Sequence, residues 1–360
     1  MKKVKVLAFH LPQFHSFKEN DEWWGKGFTE WTNTRKAKMI YPEHNQPREP
    51  ENDYYYDLTD TNAMKWQMDI AKANGIYGFC YYHYWFDGKL LLEKPLEKML
   101  EMQEERLPYC FCWANEPWTR IWEGNSKEVL MPQNYGKKED WEKHYQYLKQ
   151  FFLDDYYIKV ENKPMLIFYR TNSIPNFDEM IRYFDHCCKQ DGFSGIYSIE
   201  ELNSFQSHEV SSQTDAILEF EPMYTMIHKR SFPEKVYDKL ESLIFNLKYN
   251  GNLMIYNYDR LWKRILKRKR KGNKKIFFGA FVDWDNTARK GKRGRIVRGV
   301  TPEKFKKYFS KQLELSSEEG NEFIFVNAWN EWGEGTYLEP DKKNGKKFLE
   351  AIKSTLSEND

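Results

Sequence analysis

The 360-residue sequence has no apolar run close to the length of about 20 residues that a membrane-spanning helix needs. Residues 4–11 are too few and too polar for a secretory leader, so we expect a cytoplasmic protein, with a peripheral position at the inner membrane face as a further expectation. The five cysteines are odd in number and lack metal-ligand spacing. This pattern is typical of buried free thiols in a reducing compartment.

The sequence also lacks a marked excess of one charge. Lys and Arg number 56 and Asp and Glu 54, a net charge of +2 that does not favour nucleic acid as a partner. No glycine-rich phosphate fingerprint follows a predicted strand, and the scattered histidines form no recognised metal-ligand pair. We therefore predict an activity that needs no cofactor and no metal ion.

Aromatic residues, in contrast, are abundant at 17% of the chain. Tyr and Trp combine a flat apolar face with a polar group, and the C–H faces of sugar rings pack well on such surfaces. An aromatic-rich core explains the composition equally well. Composition by itself therefore only raises the possibility of a glycan site.

Short β-rich runs alternate with segments of helical periodicity along the whole chain. About eight strands are predicted, the number that a closed parallel barrel requires. We predict an α/β fold, a (β/α)8 TIM barrel with elaborated βα loops, forming one catalytic domain over residues 1–360. A doubly wound open sheet is the competing fold. The predicted strands are 4–10, 76–82, 109–113, 164–169, 195–199, 216–220, 275–282 and 323–328.

Three segments between the strands carry clear local signals. A helix is predicted over 59–74, with Gly75 as its left-handed stop. Thr301-Pro302-Glu303 has a cap residue, a proline and an acid in the order that starts a helix. Residues 13–56 read as a long first βα loop of the kind that carries function.

Polar and aromatic side chains cluster where the predicted strands end. Barrel enzymes take their catalytic residues from these ends, so the side chains are expected to converge on one pocket. A single histidine at such a position is more often structural than catalytic. The predicted substrate-binding residues are His10, Gln13, Trp31, Tyr82, His83, Trp85, Trp113, Asn115, Glu116, Trp118, Glu221, Asp283, Trp329, Asn330 and Trp332.

The segment 326–336 holds the predicted catalytic pair. Glu331 and Glu334 follow an apolar strand, and glycines on both sides of Glu334 allow a sharp turn. Glycosyl transfer needs one carboxyl group as acid and another as base or nucleophile. Two neighbouring carboxylates separate each other's titrations, so one can stay protonated near neutral pH. A surface turn with two solvated acids is the alternative interpretation.

At this segment the sequence resembles the endo-α-mannosidase-like glycoside hydrolases. It is most similar to their WbsX-like branch, which occurs in bacterial surface-polysaccharide gene clusters. The motifs that carry the resemblance span nearly the whole chain: 8–15 (AFHLPQFH), 27–31 (GFTEW), 78–85 (GFCYYHYW), 113–118 (WANEPW) and 330–335 (NEWGEG).

The resemblance implies a (β/α)8 barrel and retention of anomeric configuration. It assigns Glu331 as the base toward the sugar 2-hydroxyl, through an anhydro-sugar intermediate, and Glu334 as general acid and then base. The hydrolases usually have His where this chain has Gly333. This departure bears on substrate choice. The WbsX-like branch is also commonly labelled glycosyltransferase.

Three functions therefore remain open. The first is a retaining glycosidase or transglycosidase acting on surface-polysaccharide glycans. The second is a glycosyltransferase of O-antigen, lipopolysaccharide or capsule biosynthesis, for which Asp283-Trp284-Asp285 has the common acid-x-acid form of a metal and diphosphate site. The third is a catalytically silent glycan-binding protein.

Two basic stretches bear on the partner, which we expect to be an oligosaccharide or a lipid-linked glycan. Residues 263–275, with Trp262 and Ile265 nearby, predict either contact with an anionic membrane surface or a solvated helix face. Residues 289–298 predict either a loop over the active face that meets a phosphate or acidic sugar, or an ordinary exposed loop.

Overall fold

The computed structural model describes residues 3–119, 128–270 and 272–358. Eight parallel strands follow one another around a closed barrel, and the first strand pairs with both the second and the last. Ala8 lies opposite Phe79 on one side and Val326 on the other. The strands are β1 Lys5–His10, β2 Ile76–Phe86, β3 Tyr109–Trp113, β4 Lys163–Phe168, β5 Tyr197–Leu202, β6 Ala216–Glu219, β7 Lys275–Phe281 and β8 Phe323–Asn327.

The predicted (β/α)8 fold is confirmed, and every predicted strand is present. Two strands differ in extent. β2 continues to Phe86 because its end pairs with the antiparallel segment Lys89–Leu91. β5 continues to Leu202, so Glu200 and Glu201 lie within the strand and not after it; both are fully buried and hydrogen-bonded.

Helices surround the barrel and also fill its loops. Asp60 caps the predicted helix 59–74, which ends before Gly75, whose φ is +84°. The Thr301 hydroxyl accepts a hydrogen bond from the Lys304 N–H and starts another predicted helix. The helices are α1 Lys18–Trp24, α2 Glu30–Lys36, α3 Thr61–Ala73, α4 Lys94–Glu101, α5 Lys138–Phe152, α6 Phe177–Gln190, α7 Phe232–Tyr249, α8 Tyr258–Leu266, α9 Thr287–Lys290, α10 Pro302–Glu318 and α11 Lys347–Glu358.

The loops at the C-terminal ends of the strands carry most of the additional structure. The first contains α1 and α2, in agreement with the predicted long loop. After β6 come α7 and the strand Met254–Asn257, which pairs in parallel with Arg295–Arg298 from the loop after β7. Among the described residues, no helix has both the length and the apolar content to cross a bilayer.

Candidate active site

A cavity of about 460 Å³ opens at the C-terminal end of the barrel. Aromatic and charged side chains together form most of its lining, a composition that suits the faces and hydroxyl groups of sugars. The aromatic walls are Trp24, Tyr82, Tyr84, Trp118, Tyr169, Phe205, Phe220 and Trp284. The charged groups are Glu116, Arg170, Arg289, Lys290, Arg295, Glu331 and Glu334.

The turn after β8 directs the two predicted catalytic acids into this cavity. The buried Asn330 side chain accepts a hydrogen bond from the Leu11 N–H at 2.7 Å and donates one to the Leu11 carbonyl at 3.0 Å. The Trp332 indole donates to Glu339 at 2.6 Å and stacks on Tyr337, with ring centroids 3.8 Å apart. With these neighbours held in the interior, Glu331 and Glu334 are left to face the cavity.

One guanidinium holds both acids. The Arg289 Nη2 atom lies 2.9 Å from Glu331, and its Nη1 atom lies 2.9 Å from Glu334. The Nε atom lies 3.0 Å from Glu30, the first residue of α2. Three loops, those after β1, β7 and β8, therefore meet at a single cation. A planar guanidinium with several donors is the side chain best suited to hold several carboxylates in fixed positions.

Burial controls the protonation of this cluster. Removal from water raises the pKa of Glu331 to about 8; Arg289 opposes the shift, and the Glu334 and Glu30 carboxylates add to it. Burial likewise raises the pKa of Glu30, against the pull of Arg289. Burial by itself would lower the pKa of Arg289, but the three carboxylates hold it well above its ordinary value. The cluster therefore combines a permanent cation with a carboxyl group, Glu331, that titrates near pH 8.

Gly333 leaves room for this cluster. A Cβ atom at this position would lie 1.6 Å from the Glu30 Oε1 atom and 2.9 Å from the Arg289 Nε atom. Any side chain here would displace a fully buried, ion-paired carboxylate. The resemblance leads one to expect a histidine at this position. The Glu30–Arg289 ion pair occupies the space that the Cβ atom of such a histidine would need.

Six of the predicted site residues line the cavity: Gln13, Tyr82, Glu116, Trp118, Glu331 and Glu334. Glu116, which follows β3, lies 3.6 Å from the Arg170 guanidinium. Trp118 packs edge-on against Tyr84, with ring centroids 5.3 Å apart. These residues are positioned to contact a ligand directly.

The other predicted substrate-binding residues do not line the cavity, and most of them instead hold its walls. Contacts within the protein hold these side chains. His10 bonds Gln67 at 3.0 Å, His83 bonds His144 at 2.9 Å, and Trp85 stacks on His144 with ring centroids 4.7 Å apart. Burial lowers the pKa of His10 to about 4 and that of His83 to about 3, so both rings are neutral.

The remaining predicted residues that lie outside the cavity are also held by contacts within the protein. The Trp31 indole donates to the Tyr56 carbonyl, and the Trp113 indole to the Trp85 carbonyl. Asn115 joins the ends of β3 and β4 through two hydrogen bonds to the Arg170 backbone. Trp329 packs on Phe79 in the core. Glu221 is fully buried against Arg268 at 2.7 Å, and Asn330 and Trp332 shape the catalytic turn from within.

The acid-x-acid tripeptide is also committed to internal contacts. Asp283 accepts from Arg48 at 2.9 Å, and Asp285 accepts from His44 at 2.9 Å and from Gln46 at 3.1 Å. Within the described ranges, no group of three His, Cys, Asp or Glu side chains is arranged to hold a metal ion. The interpretation of Asp283-Trp284-Asp285 as a diphosphate-metal site therefore loses its structural basis.

Sequence reasoning missed the residues that organise the site. Glu30 lies inside the motif 27–31, and Arg289 lies inside the basic stretch 289–298, for which a loop over the active face and an ordinary exposed loop were both predicted. Tyr84, Tyr169 and Arg170 also line the cavity without having been named as substrate contacts. Their positions at the ends of strands are the feature of the sequence that could have identified them as cavity residues.

A second cavity, of about 710 Å³, lies at the opposite, N-terminal end of the barrel. Lys5, Tyr77 and Phe323 from the starts of strands are among its lining residues. In barrel enzymes this end serves stability, whereas the chemistry lies at the C-terminal end. The smaller cavity with the acid pair is therefore the candidate active site.

Comparison with known proteins agrees with this geometry. Residues 6–352 match the family model described as Glycosyltransferase WbsX. A protein named "Uncharacterized protein WxcX" from Xanthomonas campestris pv. campestris is 31% identical over 356 residues, covering 98% of this chain and 49% of that protein. The chain thus spans about half the length of the curated relatives it matches.

Two solved structures share the fold. One is described as a glycoside hydrolase-like protein, with a TM-score of 0.59 at 11% identity, covering 99% of this chain and 94% of that one. The other is a GH99 endo-alpha-mannosidase from Bacteroides thetaiotaomicron, with a TM-score of 0.55 at 13% identity, covering 98% of this chain and 96% of that one. At these identities the likeness concerns the barrel architecture.

Proposed function

We propose, since the chain belongs to the WbsX glycosyltransferase family, that it is a carbohydrate-active enzyme and acts as a retaining glycosidase or transglycosidase on bacterial surface-polysaccharide glycans. One observation carries the proposal. Glu331 and Glu334 lie in an aromatic cavity, each 2.9 Å from the same buried guanidinium of Arg289. An acid pair fixed in one site is the minimal equipment for acid–base chemistry at a glycosidic bond.

In the first proposed step, Glu334 donates its proton to the departing glycosidic oxygen. Glu331 takes the proton of the sugar 2-hydroxyl, and the freed oxygen bonds to the anomeric carbon as the glycosidic bond breaks. In the second step, Glu334 takes a proton from water or from an acceptor hydroxyl, which attacks the anomeric carbon and opens the anhydro ring. Glu331 returns its proton to the 2-oxygen. Water gives hydrolysis, and a sugar hydroxyl gives transglycosylation.

The raised pKa of Glu331 fits the role of base. A carboxylate with a pKa of about 8 attracts a hydroxyl proton more strongly than an ordinary carboxylate does. The reactive form of the free enzyme has Glu331 ionised and Glu334 protonated, so the pH profile of kcat/KM reports both carboxyl groups together. Arg289 keeps both acids in place while their charges change.

The basic residues of the same cavity support an anionic glycan as substrate. Lys290 and Arg295, both in the basic stretch 289–298, line the cavity beside Arg289. A sugar diphosphate carried by a lipid, or a uronic acid, would offer the negative charge that these side chains attract.

The family description favours a second candidate, a nucleotide-sugar glycosyltransferase of O-antigen, lipopolysaccharide or capsule biosynthesis. Against a metal-dependent form of this reaction stand the internal contacts of Asp283 and Asp285. Among the described residues, no group of three or more His, Cys, Asp or Glu side chains is arranged to take their place.

A glycan assay separates the candidates. Purified protein is offered surface oligosaccharides with and without nucleotide sugars, beside Glu331→Gln and Glu334→Gln, and with and without a chelator. The proposal expects cleavage or transfer without any nucleotide sugar, loss in both variants, and no effect of the chelator. Product that forms only with a nucleotide sugar would establish the transferase. Binding without turnover in any mixture would indicate the glycan-binding protein.

A further inference from the structure

Helix α7, in the loop after β6, is attached to the protein by its charged side. Asp238 pairs with Arg230 at 2.7 Å and with Arg260 at 3.0 Å. Two further contacts, Glu241 to Arg260 at 2.8 Å and Glu234 to Arg264 at 2.5 Å, join the same face to α8. All three acids of the helix are thus paired with arginines of the protein body. Of its apolar residues only Phe245 is buried.

The opposite side of α7 is apolar and open to solvent. Phe232 is 79% exposed, Ile244 68% and Leu247 78%. At 100° per residue these side chains fall on one continuous face, away from Asp238 and Phe245. We call this face the α7 stripe; it consists of Phe232, Val236, Leu240, Leu243, Ile244 and Leu247. A helix of a soluble domain normally turns such a face inward. An exposed apolar stripe of this length marks an interaction surface.

Lysines border the α7 stripe. Lys235 and Lys239 lie along one edge, Lys248 lies near the other, and all three are exposed. None of them forms an ion pair with any residue that the structure describes. An apolar helix face with cationic margins matches a bilayer surface, where the apolar side chains enter the headgroup boundary and the lysines meet phosphate. We propose that the α7 stripe binds the surface of an anionic phospholipid bilayer.

This surface differs from the one expected from the sequence. In the stretch 263–275 and beside it, the apolar side chains of Trp262 and Ile265 are fully buried. Arg268 and Arg270 turn inward to Glu219 and lie 2.6 and 2.7 Å from it. Lys271 lies outside the described residues. This stretch therefore has no apolar face to place in a membrane, whereas α7 has one.

Contact at α7 would bring the bilayer close to the candidate active site. α7 packs on the strand Met254–Asn257, which pairs with Arg295–Arg298. Arg295 itself lines the cavity. Two paired strands thus connect α7 to the cavity, and a glycan on a lipid carrier bound at α7 would start on the same side of the loop cluster as the candidate active site. Only this last point rests on the proposed function, since membrane binding is independent of the reaction catalysed.

Flotation with vesicles tests the proposal on the full chain. Vesicles of phosphatidylcholine with about 30% phosphatidylglycerol are compared with pure phosphatidylcholine. The double variant Ile244→Glu and Leu247→Glu is compared with Leu153→Glu, an exposed leucine at the end of α5. We expect wild type and Leu153→Glu to float with anionic vesicles, and the double variant to lose at least about tenfold in partitioning. Its thermal midpoint should not fall, because both positions are exposed.

A second variant addresses charge. Replacing Lys235, Lys239 and Lys248 with glutamine is expected to remove the preference for anionic vesicles, as is salt at about 0.5 M. Wild type that stays unbound to anionic vesicles at low salt would overturn the proposal. So would equal binding by the double variant, or a wild-type dimer that the double variant dissociates without any vesicle binding. The last result would assign the stripe to a second copy of the chain. The glycan assay, performed without vesicles, tests the proposed function independently of membrane binding.

Discussion

The protonation of Glu331 can be tested through the pH dependence of stability. The perturbation is Glu331→Gln, which keeps the shape of the side chain and mimics the protonated acid. Burial raises the pKa of Glu331 to about 8 in the folded protein, against about 4.5 when the side chain is in water. Because the folded-state pKa is the higher one, the proton contributes stability that is complete below about pH 4.5 and is lost as pH rises through about 8.

The magnitude follows from proton linkage. Between these two pH values the folded protein holds about one more proton at Glu331 than the unfolded chain does. The free energy of unfolding of wild type, relative to the variant, should then fall by about 1.4 kcal/mol per pH unit, or about 4 kcal/mol from about pH 5 to about pH 8. Wild type and variant are expected to be similar near pH 5. The variant should be the more stable protein near pH 9.

Urea unfolding at pH values from about 5 to about 9, followed by circular dichroism, measures this difference. The control is Glu314→Gln, an exposed carboxylate on α10 that makes no ion pair with a described residue. Its difference from wild type should stay nearly flat with pH. A flat difference for Glu331→Gln as well would refute the reasoning, since it would mean that Glu331 is ionised in the fold throughout this range.

Three further predictions concern the catalytic turn, a helix cap and the cysteines. Gly333→Ala should destabilise the protein by about 1–3 kcal/mol, because the new Cβ meets Glu30 Oε1 at 1.6 Å, and adding Glu30→Ala should recover part of the loss in thermal midpoint. An undiminished midpoint for Gly333→Ala would contradict the close contact. Thr301→Ala should lower the free energy of unfolding in urea by about 1 kcal/mol through loss of the α10 cap, and Ser310→Ala, on the same helix, serves as its control. All five cysteines are free and buried, so Ellman's reagent should react quickly only after denaturation; rapid reaction of the native protein would show an accessible thiol.

The amino-acid sequence by itself determined the barrel and the acid pair. Eight apolar runs separated by helical segments permit few folds, because a parallel sheet buried on both faces needs continuous apolar strands and crossover helices. Local chemistry also predicted the start of α10 at Thr301 and the end of α3 at Gly75. The position of Glu331 and Glu334 after an apolar strand also predicted that both lie at the C-terminal end of the barrel.

Tertiary structure decided which strand-end residues face the cavity. Strand-end residues point alternately toward the barrel interior and the surrounding helices, and a pattern of residue types does not distinguish a ligand contact from a wall. His10 and His83 were therefore assigned to substrate, although the Nε2 atom of His10 bonds Gln67 and that of His83 bonds His144.

Tertiary structure also decided the electrostatics. Glu30, Arg289 and Glu331 are far apart in the chain, and only closure of the barrel brings them within hydrogen-bond distance. The orientation of α7 depends on the same kind of long-range pairing. The helix is amphipathic, and arginines from other segments determine that its charged side is turned inward and its apolar side outward. Sequence periodicity sets which residues share a face; the partners supplied by the rest of the chain set which face is buried.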